Sequence, residues 1–347
     1  MGADSLTPGS DVLAEVEASA GLSRLESTCV IGADVGATKI AVGVVDPTGA
    51  IIFRQQTASP SQDGARMVSE VIGLLDNAIE SAQSEGFEVA ACGIGAAAFV
   101  LHAEGLLLSA PNISWSDVPL QRLAIQATGL PAFLDNDANA AAAGEHLAGV
   151  CIGVDDFVYL TLGTGVGGGI FVHGRLYRGH KGTAAELGHM TIDPHGPLCA
   201  CGRRGCLEAV ASGTALEREA AALIETEKGS LLVELCGGDP ACITGEIVSA
   251  AAERGDAAAL EAFRRIGYKL GLGVVNLIHA FDPEKVVLGG GMSRSGHFLL
   301  DEVSRAVSEN GLPELTRGVD VVLSGLGADA GIVGGGAIAW EGIGGPS

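Results

Sequence analysis

Aromatic residues are scarce, at 4 % of 347 residues. A core of this size must therefore be filled mainly by Ala, Val, Leu and Ile. Positive charge is scarce as well: Lys plus Arg is 20 against 42 Asp plus Glu, a formal net charge of −22. Nucleic-acid binders draw affinity from a basic face that releases counterions. The most basic stretch here is Gly202-Arg203-Arg204-Gly205, so no nucleic-acid partner is expected. Long apolar runs are also absent. The longest uncharged stretches are Val89–Ala103 and Phe157–Gly174, and glycines break the second. Neither supplies the ~20 consecutive apolar residues of a membrane-spanning helix, so no membrane partner is expected. Asp4, Asp11, Glu15 and Glu17 stand near the N-terminus without a basic flank. That is not the pattern of a secretory signal, and a cytoplasmic location is expected. Residues 1–27 read as a polar extension, with a short helix around Val12–Ala20.

Glycine is abundant instead. It supplies 53 residues, about twice the usual share of roughly 7 %. There is no every-third-residue pattern, which excludes collagen. The glycines cluster between apolar runs, where tight turns and close backbone approach need them. Eight cysteines are present. A chain this long can bury a core without staples, so reduced thiols are expected rather than a disulfide framework.

The apolar pattern alternates between short strands and longer helices, which indicates an α/β fold. Strands are expected at Val30–Ala33, Ile40–Val45 and Ala50–Gln55, with Asp46-Pro47-Thr48-Gly49 as a turn. Met67, Val68, Val71, Ile72, Leu75, Ile79 and Ala82 recur at helical spacing. Val89–Ile94 and Ala132–Leu134 read as strands, and Ala138–Ala148 as an Ala-rich helix. The opening pattern then recurs: Phe157–Leu162 and Gly168–His173 are strands around a Gly turn. A shift of 127 residues lays Gly36 on Gly163 and Asp34 on Thr161. Helices follow from Thr214, at Ile247–Glu253, and at Ala257–Phe281, the last stopped by Asp282-Pro283. Lys285–Leu288 and Val319–Leu323 read as strands, His297–Val307 and Asp329–Trp340 as helices.

Five segments carry chemistry. In Asp34-Val35-Gly36-Ala37-Thr38-Lys39, a Gly turn between strands exposes backbone N–H groups that suit phosphate oxygens. Lys39 and Thr38 could add a charge and a hydroxyl, and Asp34 could orient hydrated Mg2+. A plain hairpin is the bland alternative. Gly163-Thr164-Gly165-Val166-Gly167-Gly168-Gly169 contains GxGxxG. A strand follows rather than a helix, so a dinucleotide fingerprint is excluded and a second phosphate hairpin is favoured. Asp135-Asn136-Asp137-Ala138-Asn139 runs from a strand into a helix. A carboxylate there can accept a hydroxyl proton in phosphoryl transfer; one of these residues could also cap the helix. His189 precedes Cys199, Cys201 and Cys206, the Cys₃His ligand count of a closed structural zinc site. Glu186 and Glu208 flank that loop and could read sugar hydroxyls, or be plain solvated glutamates. Gly289-Gly290-Gly291 follow a strand, where bare backbone lets a flat ring approach.

Taken together, these residues resemble the ROK family of repressors and sugar kinases, within the actin-like ATPase superfamily. The likeness covers about Val30 to Trp340. It rests on the DxGxTK turn, Asn136–Ala140, Gly163–Gly169, Glu186-Leu187-Gly188-His189 and Cys199-x-Cys201-x4-Cys206-x-Glu208. The resemblance is strongest to the family's glucokinases, with Ser109-Ala110-Pro111-Asn112 and Trp115 similar to their sugar-contact loop. It implies a two-domain actin-like (ribonuclease H-like) α/β fold with an interdomain cleft and a structural zinc loop at 186–208. The implied division is a small domain of 28–137 plus 327–343 and a large domain of 138–326. It implies ATP-dependent phosphorylation of a hexose, most simply glucose to glucose 6-phosphate. Asp137 would be the general base, and Asn112, Asn136, Asp137, Glu186, His189 and Glu208 would hold the sugar. Asp34, Gly36, Thr38, Lys39, Gly163, Thr164 and Gly165 would face ATP and Mg2+, with Gly289, Gly290 and Gly291 near adenosine. Zn2+ would be held by His189, Cys199, Cys201 and Cys206. A homodimer or homotetramer is implied. The chain departs from the pattern at Ala96–His102, where many members carry Gly-Pro-Gly or Gly-Phe-Val-Asp. Mannose, fructose or N-acetylmannosamine are alternative sugars, and a non-catalytic sugar-sensing regulator is an alternative role.

Overall fold

A computed structural model describes residues 27–110, 112–224 and 230–346. The expected helix at Val12–Ala20 lies outside the described residues. Two five-stranded sheets share one topology. The first contains β1 (Thr28–Val35), β2 (Lys39–Val45), β3 (Ile51–Ala58), β4 (Glu88–Ala96) and β8 (Ala132–Asn136), in the order β3-β2-β1-β4-β8. β1, β2 and β3 pair antiparallel, while β1, β4 and β8 run parallel. Between them β5 (Phe99–Leu101), β6 (Leu106–Ser109) and β7 (Ser116–Val118) form a small separate sheet. The second large sheet contains β9 (Phe157–Leu162), β10 (Val166–Val172), β11 (Arg175–Leu176), β12 (Lys285–Gly289) and β13 (Asp320–Leu323), in the order β11-β10-β9-β12-β13. Its pairing directions repeat those of the first.

The 127-residue repeat is therefore a structural repeat, with one difference. Val35 pairs with Ile40, whereas Leu162 pairs with Val166. The second turn is shorter by one residue, so the offset holds as far as the Gly turn and then slips.

The helices, in chain order, are α1 (Gly64–Ser84), α2 (Leu120–Thr128), α3 (Asp137–Ala148), α4 (Leu207–Ala211), α5 (Gly213–Ile224), α6 (Leu231–Leu235), α7 (Gly245–Glu253), α8 (Ala257–Phe281), α9 (His297–Asn310), α10 (Pro313–Thr316) and α11 (Ala330–Gly342). Their ends follow local chemistry. Asp63 caps α1 by accepting from Arg66 N, and Asp256 caps α8 by accepting from Ala259 N. Gly129 closes α2 at φ 70°, a left-handed conformation that glycine adopts without a Cβ penalty. α1 buries Met67, Val71, Leu74, Leu75, Ala78, Ile79 and Ala82 against the first sheet. Val68 and Ile72, from the expected apolar stripe, are only partly buried. No described helix is long and apolar enough to cross a membrane.

The scarcity of aromatics is answered in the packing. The core behind the second sheet is almost entirely aliphatic, from Val158 and Leu160 to Ile266, Leu270 and Val274. Between the two sheets lie α3 and α11. Ala140–Ala143 of α3 and Ala330, Ala337 and Ile338 of α11 pack with Phe157, Tyr159 and Val287 of the second sheet. α11 lies directly on the first sheet. A Cβ at Gly93 of β4 would overlap the Gly335 carbonyl oxygen, and one at Gly335 would fall 2.6 Å from Ala33 N. A Cβ at Gly334 would likewise overlap the Ala140 carbonyl of α3. Backbone meets backbone on both sides of this helix, which accounts for its glycine run.

Replacing Gly93 by Ala should therefore force α11 away from β4. An overpacked core site of this kind costs about 1–3 kcal/mol. Thermal unfolding of Gly93→Ala should show a clearly lowered Tm, and an unchanged Tm would mean that the helix can slide without cost.

Candidate active site

The turn from β8 into α3 sets the chemistry. Asn136 is the N-cap: its Oδ1 accepts from Ala138 N at 2.9 Å and Asn139 N at 3.3 Å. Its Nδ2 donates to the Ala98 carbonyl at 3.2 Å. With the cap supplied by Asn136, Asp137 at the first helical position faces the cleft, its Oδ1 accepting from Ala138 N at 3.0 Å. Asp137 lines a cleft of about 870 Å³ together with Asp34, Thr38, Lys39, Gly163, Thr164, Gly290 and Gly291. Burial pushes the Asp137 carboxyl up to about 6; the charges of Asp34 and Glu186 push the same way, against hydrogen bonds from backbone N–H groups. Asp34 is also raised by burial, with Lys39 at 3.9 Å pulling it back.

The two glycine turns form one wall of this cleft. Gly36 N donates to Lys39 O at 3.0 Å, and Gly163 N to Gly165 O at 3.0 Å. The second turn is tied to the start of α5 by Gly213 N to Gly163 O at 2.8 Å and Thr214 Oγ1 to Thr164 O at 2.9 Å. At the exit of β12, Gly290 has φ 80°, and a Cβ there would lie 2.5 Å from Leu162 O. No side chain fits at that position. Gly36, Gly165 and Gly289 do not line the cleft. Gly165 backs onto the Glu208 carboxylate, and Gly289 onto the Tyr159 ring.

The far wall comes mostly from residues that the sequence did not single out. Glu217 of α5, Glu246 and Ser249 of α7, and Arg294 after β12 line the cleft, together with Met292 and Ser293 that follow Gly289-Gly290-Gly291. Thr244 caps α7 by accepting from Ile247 N, and Glu217 accepts from Gly245 N at 2.9 Å, so the two helix starts are locked together. The Thr-Gly-Glu sequence at 244–246 was the available signal: a capping residue opening an apolar helix pattern.

On the other side of Asn136 is a smaller cavity of about 40 Å³, lined by Ala98, Phe99, Asn139, Gly168, Ala185 and Glu186 among others. That is room for a water or two. Asn139 is 2 % exposed, and its Oδ1 has no hydrogen-bond partner among the described residues. Asn112 is exposed between β6 and β7 and lines neither cavity. Trp115, three residues on, is buried, and its Nε1 donates to Gly64 O at 2.9 Å. It anchors this loop to α1. The departure at Ala96–His102 is built as the end of β4 and the whole of β5, with His102 Nδ1 turned to Leu134 O at 3.0 Å.

His189, Cys199, Cys201 and Cys206 are brought together, with all four donor atoms within 4.8 Å of one another. Cys199 Sγ is 3.7 Å from His189 Nδ1, and Cys201 Sγ is 3.6 Å from Cys206 Sγ. A tetrahedral site with metal–sulfur bonds of ~2.3 Å needs sulfur–sulfur edges of about 3.8 Å. The cluster fits zinc, and every one of the eight cysteines is a free thiol. The loop is shaped for this by Gly205 at φ 65°, whose Cβ would overlap the Asp193 carbonyl. Glu208 stands in the first turn of α4, just after Cys206. Its Oε2 accepts from Val166 N at 3.1 Å, and its Oε1 lies 3.5 Å from Cys199 Sγ. It joins the thiol cluster to the second glycine turn.

Residues 30–341 match the sequence profile of the ROK family. The chain belongs to the ROK family. It is 39 % identical over 314 residues to the glucokinase of Streptomyces coelicolor, covering 90 % of this chain and 97 % of that one. It is 38 % identical over 317 residues to the glucokinase of Thermotoga maritima, covering 91 % and 98 %. Among solved structures, the ROK glucokinase of Streptomyces griseus in complex with glucose and AMPPNP superposes with TM-score 0.78 at 39 % identity, covering 90 % of this chain and 99 % of that one. The family also includes repressors: the xylose repressor of Caldicellulosiruptor bescii is 31 % identical over 281 residues, covering 81 % and 70 %. The expected α/β fold is thus that of the ROK glucokinases, of the actin-like ATPase type.

The Asn136 cap can be tested without reference to activity. Replacing a capping Asn by Ala costs about 0.5–2 kcal/mol. Chemical denaturation of Asn136→Ala should show a stability loss in that range, and no loss would remove the cap from this account.

Proposed function

We propose that this ROK protein is an ATP-dependent glucokinase, converting D-glucose and ATP to glucose 6-phosphate and ADP. The observation that carries this reading is Asp137. It is a carboxyl held at a helix start, facing a cleft walled by two glycine turns, in a chain 39 % identical to a glucokinase over 90 % of its length. In this reading the 6-hydroxyl of glucose donates its proton to the Asp137 carboxylate as its oxygen attacks the γ-phosphorus. The bond from the γ-phosphorus to the β–γ bridging oxygen breaks, and ADP leaves with that electron pair. Gly163 N is already held by Gly165 O, so Thr164 of that turn, with Thr38 and Lys39, holds phosphate oxygens and offsets the charge that spreads over them. Gly290 and Gly291 admit the adenosine.

Asp34 offers a hard carboxylate oxygen to the same cleft, the donor type that suits hydrated Mg2+. When bound with the phosphates, Mg2+ offsets their charge. On the sugar side, Asn112, Asn136, Glu186, His189 and Glu208 are assigned to hexose hydroxyls. His189 uses Nδ1 toward the thiols, which leaves Nε2 for a hydroxyl. The cluster His189, Cys199, Cys201 and Cys206 would hold a structural Zn2+ that pins residues 186–208 behind the sugar. A sugar-sensing role without turnover would leave the Asp137 carboxyl without a task. Mannose, fructose and N-acetylmannosamine are distinguished from glucose by a coupled ATP assay over a panel of sugars.

Asp137→Asn should lower kcat by about 10²–10⁴-fold while glucose binding, followed by calorimetry, is retained. A general base must be ionised to accept a proton. With the carboxyl held at about 6, kcat/KM should therefore fall as pH drops through about 6 and be level above it. Near-normal kcat in Asp137→Asn, or a flat acid limb, would sink the assignment. Purified protein should also contain about one zinc per chain by ligand count. Chelation should lower Tm and raise KM for glucose; metal-free protein with unchanged Tm and KM would refute the zinc site.

A further inference from the structure

We infer that Arg178 is a positioning residue for Asp137, acting through the buried carboxylate of Asp135. This rests on the kinase reading above. Arg178 follows β11 in the second sheet, and its side chain is 16 % exposed. It lines neither cavity. All three of its guanidinium nitrogens are engaged. Nε donates to Asp135 Oδ2 at 2.6 Å, while Nη1 and Nη2 donate to the two carboxylate oxygens of Glu341 in α11, at 3.0 and 2.7 Å.

Asp135 lies in β8 with no exposed surface. Its second oxygen, Oδ1, accepts from Asn136 N at 2.8 Å and from Asn139 Nδ2 at 2.8 Å. Those two residues flank Asp137, and Asn136 also caps its helix. His102 Nδ1 stands 3.5 Å from Asp135 Oδ2 but lies closer to Leu134 O. The contacts therefore run from α11 through Arg178 to Asp135, and from Asp135 to Asn136 just before Asp137 and Asn139 two residues after it.

A buried carboxylate is stable only when paired and hydrogen-bonded. Removing Arg178 takes the donor from Asp135 Oδ2 and leaves the carboxylate to turn toward another, such as His102 Nδ1 at 3.5 Å. That turn disturbs Oδ1 and frees the two residues that it holds. The Asp137 carboxyl then loses its fixed place, and a misplacement of about 1 Å at a reacting group can cost ~10²-fold in rate. Arg178 itself touches neither cavity, but it acts through Asn136, which is assigned to the sugar, so KM for glucose should rise as well, by less than kcat falls.

The test is steady-state kinetics on the full chain with glucose and ATP, with the folded fraction measured alongside. Arg178→Gln should lower kcat by at least about tenfold, with a smaller rise in KM for glucose. Arg178→Lys keeps a positive charge to pair Asp135 but loses the forked link to Glu341. It is expected to fold and to lose kcat severalfold. Added guanidinium should restore part of the kcat of Arg178→Ala, which a general loss of packing would not allow. Variants with wild-type kcat per folded molecule, or a kcat loss that guanidinium leaves unchanged, would overturn the inference. Wild-type protein with no hexose kinase activity would instead overturn the reading on which it rests.

Discussion

The architecture depends on the approach of α11 to the first sheet and to α3. Glycines on both sides, at Gly93 of β4 and Gly334 and Gly335 of the helix, let backbones come into contact where any side chain would collide. The close fit brings α3 against the second sheet, where Ala140–Ala143 meet Phe157 and Phe171. The start of α3 is thereby fixed between the two glycine turns, and that is where Asp137 stands. A chain poor in aromatics achieves this by removing side-chain volume rather than by adding it.

The cleft is a place where acid groups gather. Asp34, Asp137, Glu217 and Glu246 all line it, in a chain of formal charge −22. Burial, with repulsion from Asp34 and Glu186, raises the pKa of Asp137 and makes it a weaker acid. A site arranged in this way favours a cation and donors arriving with the nucleotide, because they relieve charge that the fold has concentrated.

Much of this was legible in the sequence. The strand–Gly turn–strand units, the Ala-rich helix after Asn136 and the Cys₃His spacing all rest on short-range chemistry, and all are present in the structure. What the sequence did not reveal is which glycines face the cleft. Gly163 and Gly290 do, while Gly165 and Gly289 back onto Glu208 and Tyr159. Only contacts from elsewhere decide between such neighbours: Glu208 backs onto Gly165 and Tyr159 onto Gly289, and both are distant in sequence. The far wall at Glu217, Glu246 and Arg294 was missed for the same reason. Three unrelated segments meet there, and none carries a motif alone. The one-residue slip between the two turns was likewise hidden, since a constant offset aligns their glycines.

The position of α11 in the chain has a consequence for biosynthesis. Val30, Ala41, Val45 and Ala91, on one face of the first sheet, are covered by Ile332, Ala339 and Trp340. During translation that sheet leaves the ribosome long before its cover. The strands of the second sheet, and the helices behind it, emerge in the interval. An apolar face made early must therefore wait for a helix made late, with all the cost of closing so long a loop. The first sheet, although synthesised first, is completed last, and a nascent chain stalled before residue 330 would expose it to whatever else is at hand.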